Sequence, residues 1–142
     1  MQQRAGLTPA QIEEGDALAL DFTKLAQAAA CGQDLVPVAV QDADSGEVLI
    51  LAYANRQALE HTLSAGLATF WSTSRNQLWV KGASSGDQLA VVEVRVNCEQ
   101  NALLYWVRRR GAGACHTRDR EGRTRRGCFY RRIGAAGRLE PA

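Results

Sequence analysis

Residues 35–59 read LVPVAVQDADSGEVLILAYANRQAL and decide the fold of the chain. Two runs within this stretch, 35–41 and 47–54, are rich in valine, leucine and isoleucine, which favour β-strands. The residues between them, 42–46 (DADSG), combine aspartate, serine and glycine, which favour a tight turn. The stretch therefore predicts a β-hairpin.

A helix is predicted directly after this hairpin. Asn55 is a favourable N-cap residue, because its side-chain oxygen can accept a hydrogen bond from the first helical turn. Gly66 favours the left-handed conformation in which many helices end. The segment between them, 56–65, is therefore predicted to be helical.

Five further runs towards the C-terminus are predicted to be strands. They cover residues 67–74, 77–81, 88–97, 102–109 and 128–133, and a loop rich in glycine and arginine spans 110–127. The long run 88–97 (QLAVVEVRVN) alternates in polarity, and a short polar turn separates it from 102–109, so the two are expected to pair antiparallel. The pattern predicts an α+β fold: a mostly antiparallel sheet with one or two helices on a face.

The first 33 residues have a different composition, rich in alanine, glutamine and glutamate. Thr8-Pro9 is a favourable helix start, and a second short helix is predicted over residues 17–30, ended by Gly32. We therefore predict an N-terminal helical arm, residues 1–33, followed by one domain, residues 34–142.

Composition excludes several classes of protein. With 142 residues, 46% hydrophobic and 23% charged, the chain matches one globular domain rather than a disordered chain, a collagen or a coiled coil. No apolar run approaches the about 18 residues that a membrane span needs. Glu13, Glu14 and Asp16 lie where a signal peptide would need an apolar stretch, which predicts a cytoplasmic protein without a membrane partner.

Charge is distributed unevenly along the chain. Residues 1–60 hold nine acidic residues, whereas residues 108–132 hold ten arginines and two acidic residues. Such a block attracts anions, so it predicts either a solvated basic loop or a surface for phosphate on a small substrate. Nucleic acid is not expected as a partner, because aromatic residues do not interleave with the arginines as a stacking platform requires.

The cysteines are candidates for metal binding or catalysis. Cys31, Cys98, Cys115 and Cys128 occur without any CxxC pair, so their spacing alone is a weak zinc signal. Free cysteines are also common in protein cores, and the residues alone leave that interpretation open. Three of the four fall within 31 residues, and Cys115 is followed directly by His116.

Six stretches of the chain form a longer pattern. They are LDFTKL (20–25), LVPVAVQDADSGEVLILAYANRQAL (35–59), TFWSTSRNQLWVKGASSG (69–86), VVEVRVNCEQNALLYWV (91–107), ACHT (114–117) and GCFYRRI (127–133). Together they resemble the phosphoribosyl-AMP cyclohydrolase family, the zinc hydrolases of histidine biosynthesis. The resemblance covers about residues 20–133.

The resemblance implies a zinc enzyme that opens the purine ring of phosphoribosyl-AMP. It places the three zinc ligands on Cys98, Cys115 and Cys128, and it implies a homodimer in which both chains contribute ligands to each zinc. Three thiolates leave one coordination position for water, and zinc-bound hydroxide would attack C6 of the purine before the N1–C6 bond breaks. His116 is the candidate general acid–base residue, since its ordinary pKa lies near neutral pH.

The same resemblance implies where the phosphorylated, nucleotide-like substrate binds. Lys81 and the loop after it offer an amine, hydroxyls and free backbone amides, which suit phosphate groups. Arg75 adds a second cation in the preceding turn, and Trp79 is a pocket-wall candidate. The predicted substrate-binding residues are Arg75, Trp79, Lys81, Ser84, Ser85 and Gly86.

The sequence departs from the family around its first zinc cysteine. Asn97, Glu99 and Asn101 stand where the family has three aspartates that bind magnesium, and only Glu99 carries a charge. Because Mg²⁺ prefers charged oxygen ligands, the resemblance no longer supports a magnesium site here, and we expect no ordered Mg²⁺ between these side chains. The asparagines are predicted to hydrogen-bond substrate or, alternatively, to stabilise the turn between two strands.

Three functions remain open on the sequence. The first is the family's own reaction in histidine biosynthesis. The second is hydrolysis of a different phosphorylated heterocycle in specialised metabolism, by a repurposed paralogue, and the third is a non-catalytic zinc-binding relative. The sequence also leaves open the roles of Cys31 and of the Arg-rich loop, residues 118–126.

Overall fold

The chain forms three α-helices and eight β-strands in the computed structural model, which describes residues 1–142. In chain order they are α1 (Pro9–Glu14), α2 (Lys24–Ala29), β1 (Val36–Asp42), β2 (Val48–Ala54), α3 (Arg56–Ala65), β3 (Thr69–Ser72), β4 (Gln77–Val80), β5 (Leu89–Val96), β6 (Leu103–Arg109), β7 (Arg131–Ile133) and β8 (Leu139–Pro141). None of the helices has the length and apolar character needed to cross a membrane.

Four strands form the main sheet, in the order β2-β1-β6-β5. The central strand β1 pairs antiparallel with β2 and parallel with β6, so that Val38 lies between Ala52 and Leu103. Strands β5 and β6 are antiparallel, as are the separate hairpins β3-β4 and β7-β8. The predicted α+β fold with a mostly antiparallel sheet is confirmed, and the parallel pair β1-β6 is an addition to it.

Local sequence accounts for the hairpin and the helix that follows it. The Asp42 carboxylate accepts a hydrogen bond from the backbone N–H of Asp44 at 2.8 Å, which stabilises the predicted turn. Asn55 caps α3 by accepting from the backbone N–H of Ala58 at 2.9 Å. Gly66 ends the helix at a φ of 69°, in the left-handed region that favours glycine. The predicted bounds of this helix, 56–65, are confirmed.

The core lies between the main sheet, α3 and the β3-β4 hairpin. Phe70 and Tyr105 are fully buried, and their rings stack with centroids 5.7 Å apart. Twelve buried side chains form one cluster: Val38, Val40, Leu49, Ile50, Ala54, Ala58, Ala68, Phe70, Leu89, Tyr105, Val107 and Ala114. This cluster fixes β2, β3 and β4 relative to one another, and these three strands carry one wall of the cleft described below.

The segments at the two ends of the chain differ from prediction. The second helix was predicted over 17–30, but α2 covers only Lys24–Ala29. The Asp21 carboxylate accepts from both the backbone N–H and the hydroxyl of Thr23, which holds the chain in a turn before the helix begins. The predicted strand 128–133 begins only at Arg131, and its partner β8 was not predicted, because Leu139–Pro141 contains a single large apolar residue.

Candidate functional site

An open cleft of about 580 Å³ lies between β2, the β3-β4 hairpin and the loop that joins Cys115 to Cys128. Five of the residues predicted from the sequence line it: Arg75, Trp79, Lys81, His116 and Cys128. Trp79 forms part of the wall and packs against Phe70 at a ring-centroid distance of 5.4 Å. The cleft therefore collects a thiol, an imidazole and two cationic side chains from segments that are distant in sequence.

Cys115 and Cys128 are brought together where the loop between them returns on itself. The backbone N–H of Cys115 donates to the carbonyl of Arg125 at 3.2 Å, and that of Cys128 donates to the carbonyl of Leu49 at 2.7 Å. The two thiols lie within hydrogen-bonding reach of each other. Cys115 is buried, and its Sγ lies 3.0 Å from the hydroxyl of Thr117.

The contact between the two thiols divides their proton affinities. The hydrogen bond from Cys128 lowers the pKa of Cys115 to about 5, and bonds from Thr117 contribute to the same shift. The same hydrogen bond raises the pKa of Cys128, and burial adds to that rise. The shift favours the thiolate at Cys115, and the thiolate is the form in which sulfur binds metals.

The third predicted zinc ligand lies elsewhere. Cys98 is exposed on the turn between β5 and β6, whereas Cys115 and Cys128 lie together at the cleft. Within one chain, no group of three or more histidine, cysteine or acidic side chains is placed to hold a metal ion. The predicted set of three cysteines is thus divided into two and one.

The three positions matched to magnesium ligands bond to one another. The Asn97 side-chain oxygen accepts from the backbone N–H groups of Asn101 and Ala102, both at 2.9 Å. The side-chain amide of Asn97 donates to Asn101 Oδ1 at 2.6 Å, and that of Asn101 donates to Glu99 at 3.3 Å. These contacts match the alternative that the asparagines stabilise the turn.

Lys81 is the most buried cation at the cleft. Only 5% of its surface is exposed, and burial lowers the pKa of its amine, although the nearby Asp87 opposes that shift. Its Nζ donates to the carbonyl of Asp87 at 3.4 Å. Gly82 allows the backbone after Lys81 to pass close to Asp87, because a Cβ at this position would lie 2.3 Å from the backbone of Asp87.

The rest of the predicted phosphate loop does not line the cleft. Ser84, Ser85 and Gly86 are exposed beyond Lys81, and the Ser85 hydroxyl accepts from the backbone N–H of Asp87 at 3.2 Å. Within the chain, these three residues are therefore placed as parts of the turn rather than as parts of the cleft wall.

The Arg-rich loop between the two cysteines forms a small hairpin. Arg118 and Thr124 pair across it, and the Asp119 carboxylate accepts from the backbone N–H of Arg123 at 2.9 Å. Three of its arginines form ion pairs with carboxylates of the chain: Arg123 with Asp119, Arg125 with Glu14, and Arg126 with Glu47. Three of the five arginines in the loop are thus paired with carboxylates of the same chain.

Two residues of the site were missed by sequence reasoning. Glu13 places Oε1 2.9 Å from Nε2 of His116, and Lys24 lines the cleft with its Nζ 3.1 Å from the hydroxyl of Thr73. Both belong to the first 33 residues, which the sequence places outside the domain. Lys24 lies in the stretch LDFTKL (20–25), which belongs to the family pattern but gave no role for this lysine. No pattern marks Glu13, because its contact depends on how the N-terminal segment lies on the domain.

Comparisons with known proteins agree on one family. The family model described as "Phosphoribosyl-AMP cyclohydrolase" matches residues 50–130. The chain is 52% identical over 99 residues to "Phosphoribosyl-AMP cyclohydrolase" of Hyphomonas neptunium, an overlap of 70% of each chain. It is 48% identical over 99 residues to the protein of that name from Archaeoglobus fulgidus, covering 70% of this chain and 85% of the relative. It is also 44% identical over 101 residues to "Histidine biosynthesis bifunctional protein HisIE" of Aquifex aeolicus, covering 71% of this chain and 46% of that protein.

Proposed function

The chain belongs to the phosphoribosyl-AMP cyclohydrolase family, and from this premise we propose that it opens the purine ring of phosphoribosyl-AMP in histidine biosynthesis. It is a hydrolase that acts on a C–N bond of a cyclic amidine. The observation that carries the proposal is the cleft, which brings Cys128, His116, Lys81 and Arg75 to one place. We retain the division into an N-terminal arm, residues 1–33, and a cyclohydrolase-like domain, residues 34–142, as part of this proposal.

The substrate's own chemistry explains the bond that breaks. N1 carries a ribosyl group, so the amidine of the purine is cationic and C6 is electrophilic. Water adds its oxygen to C6, the N1–C6 bond breaks, and N1 takes a proton. C6 keeps its amino group and becomes a carboxamide carbon.

The residues at the cleft have separate roles in this proposal. His116 accepts the proton of the attacking water and returns it to N1, because imidazole exchanges protons near neutral pH. Lys81 and Arg75 bind phosphate groups of the substrate, and the burial of Lys81 strengthens its attraction to an anion. Trp79 forms a wall for the heterocycle.

Zinc fits the donors that the chain offers at the cleft. Cys115 and Cys128 provide two adjacent sulfur ligands, one of them favoured as a thiolate, and soft thiolates suit Zn²⁺. Zinc held there would supply a Lewis acid that lowers the pKa of a bound water. The third thiolate in the proposed set is Cys98.

We propose that Cys98 reaches this site from a second copy of the chain, in a homodimer. Exposed apolar side chains flank both parts of the divided set: Leu51 and Phe129 near the cleft, and Val96 beside Cys98. Burial of these side chains in an interface would favour association and bring Cys98 of one copy to the Cys115–Cys128 pair of the other.

One observation favours a second function, hydrolysis of a different phosphorylated heterocycle. The turn 97–101 carries a single carboxylate, Glu99, and its asparagines are engaged with one another. A site without a second metal would treat the substrate's phosphates differently from the rest of the family. The non-catalytic alternative is disfavoured, because Cys128, His116 and Lys81 line one cleft and Cys115 lies next to Cys128.

The function is tested by complementation and by direct assay. The chain should restore growth of a histidine auxotroph that lacks the cyclohydrolase step, and the purified protein should consume phosphoribosyl-AMP. Failure of both, with turnover of another nucleotide in a panel of purine and pyrimidine nucleotides, would support the second function. Failure with the whole panel would support the non-catalytic alternative.

The metal site is tested by elemental analysis of purified variants. Wild-type protein should carry about one zinc per chain, and Cys115→Ser should lose it, because serine removes a soft ligand. Cys31→Ser is the matched control, since Cys31 lies outside the cleft, and it should retain zinc. Full zinc occupancy in Cys115→Ser would contradict the assignment.

The shared site is tested by mixing two inactive variants. Cys98→Ser and Cys115→Ser, unfolded and refolded together, should form mixed dimers in which one of two sites is intact. Random pairing then restores about a quarter of the wild-type activity. No recovery, with mixed dimers confirmed by mass, would indicate a site within one chain.

The altered turn is tested by titration with magnesium after chelation. Wild-type activity should not depend on added Mg²⁺, because neutral amide oxygens are poor ligands for it. Asn97→Asp combined with Asn101→Asp should create that dependence. A strict Mg²⁺ requirement in the wild-type protein would contradict this interpretation of the turn.

A further inference from the structure

The end of α1 is held against the C-terminal segment through its backbone. The guanidinium of Arg131 donates to the carbonyls of Ile12 at 2.8 Å and Gly15 at 2.6 Å. The Tyr130 hydroxyl donates to the carbonyl of Glu13 at 2.7 Å. These carbonyls lie at the C-terminal end of the helix, where they lack partners within it and where the helix dipole favours a cation. The carbonyl of Glu13 and those of Ile12 and Gly15 near it are therefore all hydrogen-bonded to the C-terminal segment.

Two side-chain pairs hold the same segment. Arg125 forms a two-pronged ion pair with Glu14, with both N···O distances at 2.7 Å, and this bond lowers the pKa of the Glu14 carboxyl. The Arg125 guanidinium also lies 4.0 Å from the ring centroid of Tyr130. Asp16 pairs with Arg138 on the far side. Residues 12–16 are therefore held at several points by contacts that do not involve the Glu13 side chain.

The Glu13 side chain extends from this fixed backbone to His116. Its Oε1 lies 2.9 Å from Nε2 of the imidazole. This contact is the only hydrogen bond that the His116 side chain makes. A carboxylate at that distance accepts the Nε2 proton, which orients the ring and leaves Nδ1 as the nitrogen for proton exchange with a substrate. In this arrangement the carboxylate binds one imidazole nitrogen while the other nitrogen exchanges protons. The carboxylate then affects the reaction only by orienting the histidine.

We propose that Glu13 is a positioning residue for His116, supplied by α1 to a cleft that α1 itself does not line. The inference rests on the proposed function for the part played by His116 in the reaction. An isolated pair of surface side chains would restrict the imidazole little, because the entropy lost in ordering two flexible side chains offsets their attraction. Here the backbone bonds of residues 12–16 have already ordered one partner, so the contact can restrict the imidazole.

The first test measures the motion of the His116 ring and needs no turnover. The chain has two histidines, so the Cε1–H signals in an NMR spectrum are assigned by one His116→Ala variant, with His61 as an internal reference. Glu13→Ala should increase the fast motion of the His116 ring and leave His61 unchanged. Glu13→Gln should keep the ring restricted, since the amide oxygen can still accept from Nε2–H. Unchanged motion of His116 in Glu13→Ala would overturn the proposal.

The second test separates positioning from a general effect on structure. Glu13→Ala should lower kcat about tenfold with little change in KM, and Glu13→Gln should recover most of it. In a His116→Ala background, Glu13→Ala should cause no further loss of kcat. Glu60→Ala, which removes an exposed glutamate on α3 outside the cleft, is the matched control and should have no effect. An equal loss with and without His116 would overturn the proposal.

Failure of the proposed function gives a different result. If the wild-type protein does not consume phosphoribosyl-AMP but Glu13→Ala still releases the His116 ring, the proposed substrate is wrong and the positioning contact stands. If the wild-type protein is active and Glu13→Ala changes neither ring motion nor kcat, the proposed function stands and the role of Glu13 is wrong.

Discussion

The main sheet and the contact between α1 and the C-terminal segment are stabilised by different interactions. Eleven of the twelve residues in the buried cluster lie between Val38 and Val107, so apolar burial dominates the sheet region. In contrast, α1 buries no residue and is held by Arg125, Tyr130 and Arg131 through hydrogen bonds and ion pairs. One molecule thus combines a scaffold stabilised by the hydrophobic effect with an attached segment stabilised by charge, and the contact between Glu13 and His116 links that segment to the cleft.

The largest effect is expected from a cavity in the scaffold. Phe70→Ala removes a fully buried ring that contacts Tyr105 and Trp79. The free energy of unfolding should fall by about 3–5 kcal/mol, as for other buried aromatic truncations. Chemical denaturation monitored by circular dichroism measures it. A loss as small as that of a surface substitution would show that apolar burial does not dominate the sheet region.

A smaller effect is expected at the one buried carboxylate of the sheet. Burial alone would raise the pKa of Asp42, but the N–H donors of Asp44 and Ser45 and the guanidinium of Arg109 outweigh it and hold the pKa below its usual 3.8. Asp42→Asn should lower the free energy of unfolding at neutral pH by about 2 kcal/mol, since it removes a charged acceptor.

The pH dependence follows from the direction of that shift. Because the folded pKa lies below the unfolded value, the stabilisation by Asp42 is present above about pH 4 and is lost as the pH falls through the folded pKa. Denaturation curves of the wild-type protein and Asp42→Asn should therefore converge in acid. Curves that stay equally far apart at every pH would exclude the ionised Asp42 carboxylate as the cause.

A local effect is expected where α1 meets the C-terminal segment. Glu14→Gln removes the charge of the two-pronged pair with Arg125, so amide hydrogen exchange should accelerate in residues 12–16. Exchange in β1 and β6 should not change. Faster exchange in the sheet as well would mean that the two regions unfold as one unit. The sheet and the α1 contact would then not be stabilised independently.

The smallest effect is expected from salt. Raising the ionic strength to about 1 M shortens the screening length to about 3 Å, which weakens exposed ion pairs more than apolar contacts. Exchange in residues 12–16 should accelerate modestly in sodium chloride, with little change in the midpoint of global unfolding. Glu14→Gln should show less of this salt sensitivity than the wild-type protein, because its main exposed pair is already absent.

The same contrast explains what could be predicted from the sequence. Asn55, Gly66 and the alternation of residues 88–97 act over a few positions, so the helix α3 and most strands could be located from local pattern. The partner of a given arginine has no such signal: Arg125 has many candidate acids, and Glu14 is selected by the tertiary arrangement. The thiol, lysine and tryptophan of the cleft were anticipated through the family resemblance. The resemblance includes Lys24 in the stretch 20–25 without a role for it, and it does not reach Glu13.

Parallel pairing inside the sheet was also beyond local reasoning. The adjacent hairpin β1-β2 is specified by the turn 42–46, but nothing near Val38 identifies Leu103 as its other neighbour. The position of Cys98 follows from this topology, since β5 and β6 must meet in the turn that carries it. Sequence reasoning named all three cysteines, but their division into two and one depends on the order of the strands.

The contact between Tyr130 and α1 also sets an order of events during synthesis. The two partners are separated by 117 positions, so α1 leaves the ribosome long before Tyr130 has been translated. At about 5–20 residues per second, this interval is on the order of ten seconds. A segment that waits that long with an apolar face would invite aggregation, but α1 buries nothing and carries two carboxylates. Its polar mode of attachment therefore lets α1 stay hydrated until the segment that holds it has been synthesised.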